Sequence, residues 1–157
     1  MATTSISAAV KTKYESLTAA NFPGSSVPPY FFGQAPQVSG GLQLRPPYTV
    51  GTERTRAVVP LDFERNNLVT LELRLQVVAG TLADVDAIVN AIRWNGGTVG
   101  QGLGFDHGTL SDLTAPRSTH QMVPTGEPRL LENALDLNGQ RVHGAELEYT
   151  VTVLESS

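Results

Sequence analysis

Two stretches of the chain alternate between apolar and polar residues. The first runs from Leu68 to Val78 and the second from Ala145 to Leu154. Successive side chains of a strand point to opposite faces, so this alternation predicts strands with one dry face and one polar face. Such strands are typical of antiparallel sheets with one solvated face. The polar face, which meets either water or a partner, would carry five side chains: Glu72, Arg74, Gln76, Glu148 and Thr150.

Two other stretches have helical periodicity. A helix near the N-terminus is predicted by apolar residues at Ile6, Val10, Tyr14 and Leu17, with Thr4 or Ser5 as its cap and residues 21–24 as its end. A second helix is predicted from Leu82 to Trp94, because one apolar stripe runs along it. Thr81 is its predicted cap, and Gly96-Gly97 its predicted left-handed stop.

Weaker patterns complete the predicted sheet. We expect strands at 48–53 and 57–63, separated by a charged bend at 54–56, and further strands at 119–123 and 127–132, separated by Pro124. Asn138-Gly139 indicates a turn before the last strand, which has a possible early start at Arg141 to His143. The pattern predicts one α+β domain over residues 1–157. Its single antiparallel or mixed sheet of about four to five strands would have two helices packed on one face.

Two long loops remain. Residues 21–47 are rich in Pro, Gly and Ser, and residues 96–117 are rich in Gly. Loops of this length inside a compact domain are usually functional or mobile. Within the first loop, Tyr30 and Phe31 are apolar enough to pack against something, so we count both as candidate interface residues.

Composition narrows the classes of function. The chain of 157 residues has no cysteine, which excludes disulfides and thiolate chemistry. A net charge of −4 disfavours broad nucleic-acid binding. We find neither a signal peptide nor an apolar run long enough to span a membrane, and we therefore expect a soluble protein of cytosolic origin without a membrane partner.

The search for chemistry finds no convincing site. The glycine-rich run 96–104 follows a helix and opens none, which is the wrong context for a phosphate-binding loop. Asp106-His107, Ser111 and Asp112 supply the residue types of a triad without an elbow to present the serine. Together with His120 and His143, the same histidine matches no zinc spacing. We therefore predict no enzyme activity, no cofactor and no metal.

A charged set lies where strands are predicted to end: Glu53, Arg54, Arg56, Asp62, Glu64 and Arg65. It forms either an ordinary solvated rim or a set of ion pairs between subunits, which fix register and partner choice. Trp94, the single tryptophan, is either a core residue or an interface anchor.

The order of these elements resembles a known family. An N-terminal helix leads through a loop to the segment 44–50 (LRPPYTV), then to Phe63-Glu64, the alternating strand through 73–79, the second helix and a closing strand. This layout is similar to that of the tail-terminator, or tail-completion, proteins of long-tailed bacteriophages and prophages. The loop 28–41 is longer than is usual in that family.

The resemblance implies a structural protein of the virion tail or neck, made in the host cytoplasm. It implies a homo-oligomeric ring, usually of six subunits, that caps the tail tube and offers a docking face to the head-completion or connector protein. DNA would pass through the ring without sequence-specific binding. On this reading Arg54, Arg56, Glu64 and Arg65 contact a neighbouring subunit or the tube. A small interaction or adaptor domain unrelated to phages and a head-side connector or stopper remain the alternatives.

Overall fold

The computed structural model describes residues 6–33, 45–61, 66–96, 102–103, 117–135 and 141–155. Two α-helices and six strands lie in these ranges: α1 (Ile6–Glu15), β1 (Tyr30–Phe32), β2 (Tyr48–Pro60), β3 (Asn67–Ala79), α2 (Leu82–Trp94), β4 (Arg117–Pro124), β5 (Arg129–Leu135) and β6 (Arg141–Glu155). Two short 3-10 turns, at Ala19–Asn21 and Pro23–Ser25, follow α1. The predicted α+β class is confirmed, with six strands rather than four or five.

The sheet is mixed and has the order β1-β2-β3-β6-β4, and β5 also pairs with β6. All pairs are antiparallel except the short parallel pair of β1 with β2. Both β4 and β5 lie along the same side of β6, one after the other. The sheet therefore has two parts. One consists of β2 paired with β3, and the other of β6 paired with β4 and β5. The two parts join where β3 pairs with β6 along the whole of β3.

The two helices cover one face of the sheet, as predicted. The core joins the apolar sides of α1 and α2 to the alternate side chains of β3 and β6, among them Leu73, Leu75 and Val151. Thr81 caps α2 as predicted, since its hydroxyl accepts a hydrogen bond from the Asp84 amide at 3.2 Å. The left-handed residue at the end of α2 is Asn95, one position before the predicted stop, and Gly96 follows with φ +105°.

Three buried tyrosines, Tyr14, Tyr30 and Tyr149, belong to the core between the helices and the sheet. The rings of Tyr14 and Tyr30 lie 4.8 Å apart, and the Tyr14 hydroxyl lies 3.0 Å from the hydroxyl of the buried Thr49. Burial raises the pKa of Tyr14 to about 12, and it also raises the pKa values of Tyr30 and Tyr149. Gly51 permits this packing, because a Cβ atom there would lie 1.9 Å from the Tyr30 hydroxyl oxygen.

Two sequence predictions about the strands are wrong. Strand β2 is continuous from Tyr48 to Pro60, and the predicted charged bend is instead a bulge between Thr55 and Ala57. A bulge adds one residue without ending the pairing, so Arg56 is accommodated within the strand. The segment 21–47, predicted as a loop, contains the strand β1. Because β1 lies at the sheet edge, the nearby prolines do not interrupt a central strand.

Candidate assembly surface

The outer half of β2 is exposed along its whole length. All nine residues from Thr52 to Pro60 are exposed, and they include Val58 at 55% and Val59 at 50%. Adjacent residues of a strand point to opposite faces, so two neighbouring exposed valines mean that this half of β2 is uncovered on both faces. The neighbouring β3 residues on the helix side, Val69 and Leu71, are buried. We call Thr52–Pro60 the exposed β2 segment.

An ion-pair network crosses the polar face of the sheet beside this segment. Arg56 of β2 binds Glu72 of β3 through its guanidinium, and Arg74 of β3 contacts Glu72 at 2.6 Å. Arg74 also lies 3.2 Å from Glu148 of β6. The network therefore connects three neighbouring strands with charges of alternating sign. Arginines of this network project further into solvent than the carboxylates that they bind.

The electrostatics of the network centre on Glu72. Hydrogen bonds from Arg56, and then from Arg74, lower the pKa of Glu72, and the same contacts with Glu72 raise the pKa of Arg74. Exposed ion pairs each contribute little to stability, typically below about 1 kcal/mol. These ion pairs instead orient the arginines, since the shared Glu72 carboxylate binds the guanidinium groups of both Arg56 and Arg74 at the surface.

A shallow cavity of about 230 Å³ opens between this network and the exposed β2 segment. It is lined by Thr52, Glu53, Arg54, Glu72 and Arg74. Arg54 lies directly opposite Glu72 in the β2–β3 register. The lining is polar and charged, which suits contact with polar groups of another macromolecule better than binding of an apolar small molecule.

The residues predicted to form an interface divide into four groups. Arg54 and Arg56 lie on the exposed β2 segment, as an interface requires. Tyr30 does not fit the prediction, because its side chain is only 4% exposed and packs in the core of its own chain. Phe31 is partly exposed, and its ring lies 6.3 Å from that of Tyr48. Glu64 and Arg65 lie outside the described residues.

The residues considered for chemistry are only partly described. Asp106, His107, Ser111 and Asp112 lie outside the described residues, and so does Asp62. His143 is an exposed residue of β6. Within the described ranges, no group of three or more His, Cys, Asp or Glu side chains is placed to hold a metal ion.

Part of the glycine-rich run packs on its own chain. Leu103 is fully buried, and its amide donates a hydrogen bond to the Ile92 carbonyl at 2.8 Å. A Cβ atom at Gly102 would lie 2.0 Å from the Arg93 carbonyl oxygen. Glycine at 102 is therefore needed for close backbone contact with the end of α2. Trp94 is partly exposed there, with the Arg93 guanidinium 5.2 Å from its ring centroid.

Sequence reasoning missed the apolar part of the surface. Val58, Val59 and Leu61 are all at least half exposed, whereas the sequence pattern assigns all three to an ordinary strand at 57–63. The signal was present in the pair Val58-Val59, because adjacent apolar residues break the alternation of a strand with one wet face. Such a pair is typical of a strand that is covered on both faces.

None of the helices in the described ranges is long and apolar enough to span a membrane. Neither a scan against models of known protein families nor a search of curated proteins finds a match for this chain.

Proposed function

We propose that this chain is a structural protein of a long-tailed bacteriophage virion. It assembles into a ring, of six subunits, that caps the tail tube and joins it to the head connector. The observation that carries the assembly role is the exposed β2 segment. Its adjacent valines are open on both faces, and its arginines stand beside a polar cavity. The assignment to a phage tail is supported by the order of the elements, which resembles that of tail-terminator proteins.

The energetics favour a protein partner for this segment. Covering an apolar side chain contributes roughly 25 cal/mol per Å² of area removed from water. An exposed Val-Val pair beside charged groups has the composition of an interface, where an apolar centre is surrounded by a polar rim. The arginines would set the register of the contact more than its strength. Assembly through one repeated contact closes a ring when the rotation between subunits closes.

The direct test is to image the purified protein, alone and with isolated tail tubes, and to determine its mass by native mass spectrometry. The proposal predicts closed rings, or caps at the ends of tubes. A monomer that binds no tube at any concentration would contradict it. Closed rings that ignore tail tubes but bind a head-side complex would instead identify a connector or stopper.

A matched pair of variants tests whether the exposed β2 segment makes the contact. Val59→Lys and Leu82→Lys each place a charge at an apolar side chain that is 50% exposed, the first on β2 and the second at the start of α2. We expect Val59→Lys to abolish assembly while the monomer stays folded, and Leu82→Lys to assemble normally. Equal assembly by both variants would mean that the valine pair is an ordinary part of the surface.

A further inference from the structure

The open side of β2 has a defined length. Strand β1 pairs with residues 49–51 only, and the last hydrogen bond between them runs from the Gly33 amide to the Gly51 carbonyl at 2.7 Å. Beyond Gly51, no described strand pairs with the side of β2 that faces away from β3. Unpaired backbone amides and carbonyls at a sheet edge are a template for another strand. The exposed β2 segment therefore also has an open backbone edge.

The hydrogen-bonding alternation identifies the groups that point outward. Because Thr49 and Gly51 turn their backbone groups toward β1, Glu53 and Thr55 turn theirs to the open side. After the bulge at Arg56, the hydrogen bond from the Leu61 amide to the Asn66 carbonyl places Val58 and Pro60 outward. Pro60 has no amide hydrogen, so it ends the run of donors.

On the opposite side of the sheet, β4 pairs with β6 and has no other neighbour among the described strands, so it forms a second edge. The two edges are level with each other, as the register shows when each residue is followed to its partner on the next strand. We call such a line of partners across the sheet a row. The row of Pro60 continues through Asn67 and Glu155 to Arg117, the first residue of β4. At the other end, the row of Thr52 continues through Arg74 to Glu148, whose carbonyl accepts the Thr125 amide. The open part of β2 and the strand β4 are thus level with each other and nearly equal in length.

The strand directions match as well. Each of β2, β3, β6 and β4 is antiparallel to its neighbour, so β4 runs opposite to β2. A second copy, rotated about an axis parallel to the strands and not shifted along it, brings its β4 beside the first copy's β2 as another antiparallel neighbour. A contact that joins two different edges leaves one edge of each kind free for a further copy. Without a shift along the axis all copies stay level, so the contact closes as a ring when the rotation between subunits closes.

We propose that the ring subunits join edge to edge, with β4 of one copy pairing with the exposed β2 segment of the next. This inference rests on the proposed function and names its interface.

Engineered disulfides test the pairing, because the natural chain has no cysteine. Thr52 and Thr125 are both exposed and belong to the same row. Within one chain they are three strand spacings apart, about 14 Å, which is too far for a disulfide. Across the proposed junction they are neighbours. Any disulfide in the double variant Thr52→Cys/Thr125→Cys therefore joins two copies.

We expect mild oxidation of this double variant to give a ladder of covalent multimers on a non-reducing gel. The control Thr52→Cys/Leu130→Cys should give no ladder, since Leu130 lies on β5 in the row of Thr49, three residues (about 10 Å) from the row of Thr52, and on the helix side. Dimers formed equally well by Thr52→Cys alone would mean that β2 pairs with itself, which overturns the inference. Rings in native mass spectrometry without a ladder would also overturn it, while leaving the ring proposal in place. A ladder from a protein that binds no tail tube would support the β2–β4 pairing and contradict the proposed role at the tail tube.

Discussion

Removing the hydroxyl group from two tyrosines of the same core should change stability in opposite directions. The Tyr149 hydroxyl is buried and has no hydrogen-bond partner among the described residues. The Tyr14 hydroxyl lies 3.0 Å from the Thr49 hydroxyl, and both residues are fully buried. A buried polar atom without a partner costs roughly 1–3 kcal/mol, whereas a satisfied hydrogen bond contributes about 1 kcal/mol.

Tyr149→Phe should therefore stabilise the fold by about 1 kcal/mol, which raises Tm by roughly 2–4 °C for a chain of this size. Tyr14→Phe leaves the Thr49 hydroxyl buried and unpaired, and it should cost about 1–2 kcal/mol. Urea denaturation measures both changes, because a shift of the midpoint at constant slope reports stability alone. Tyr14→Phe/Thr49→Val, which removes both hydroxyls, should recover most of the loss. Destabilisation by Tyr149→Phe of more than about 1 kcal/mol would show that its hydroxyl has a partner in solution and would refute the reasoning.

Four further outcomes are expected. Burial raises the pKa of Tyr14 to about 12 from an unfolded value near 10, so its contribution to folding stability is complete below pH 10 and is lost as the pH rises toward 12. Stability measured by urea denaturation should therefore fall over that range, and Tyr14→Phe should make the fall less steep. The arginine contacts lower the pKa of Glu72, so its contribution to folding stability is present above the unfolded pKa of about 4.3 and is lost as the pH falls through the lower folded value. In the same assay, Glu72→Gln should make stability fall less between neutral and acidic pH. Thr81→Ala removes the cap of α2 and should lower stability by about 1 kcal/mol in thermal unfolding, while Thr81→Ser should retain most of it. Gly102→Ala forces a Cβ atom against the Arg93 carbonyl and should cost about 1–3 kcal/mol, whereas Gly126→Ala, where the space is open, should cost only the strain of its positive φ.

The sequence predicted the fold best where one periodicity extends over many residues. Strands β3 and β6 and helix α2 lie within a few residues of their predicted bounds, because a long alternation or stripe is compatible with only one buried face. The predicted turn at Asn138-Gly139 lies outside the described residues. The start of β6 at Arg141 matches the early start considered for this strand.

Prediction failed where long-range pairing overrides local composition. Charged residues at 54–56 have the composition of a turn, but twelve register pairs with β3 hold β2 as one strand, and the bulge absorbs the extra residue. Strand β1 is three residues long and lies between prolines and glycine, so it depends on its pairing with β2. The burial of Tyr30 has the same cause, since this pairing places its hydroxyl group against Gly51. No local signal distinguishes such a residue from an exposed aromatic side chain.

Each of the two edges that have no described neighbouring strand ends in a proline, which is expected to limit indiscriminate pairing. Pro60 ends β2 and Pro124 ends β4, and the alternation of hydrogen bonds turns the nitrogen of each toward the open side of its strand. Neither nitrogen can donate a hydrogen bond, and the bulge at Arg56 further divides the β2 edge into two short runs. A strand of arbitrary sequence therefore finds few consecutive donors on either edge. If the edges join as proposed, Pro60→Thr should leave the β2–β3 ladder intact and add one outward donor. Ring formation should then persist, while non-specific aggregation, followed by light scattering of the monomer at raised temperature, should increase. Unchanged scattering, with the variant shown to be folded, would mean that Pro60 does not protect this edge.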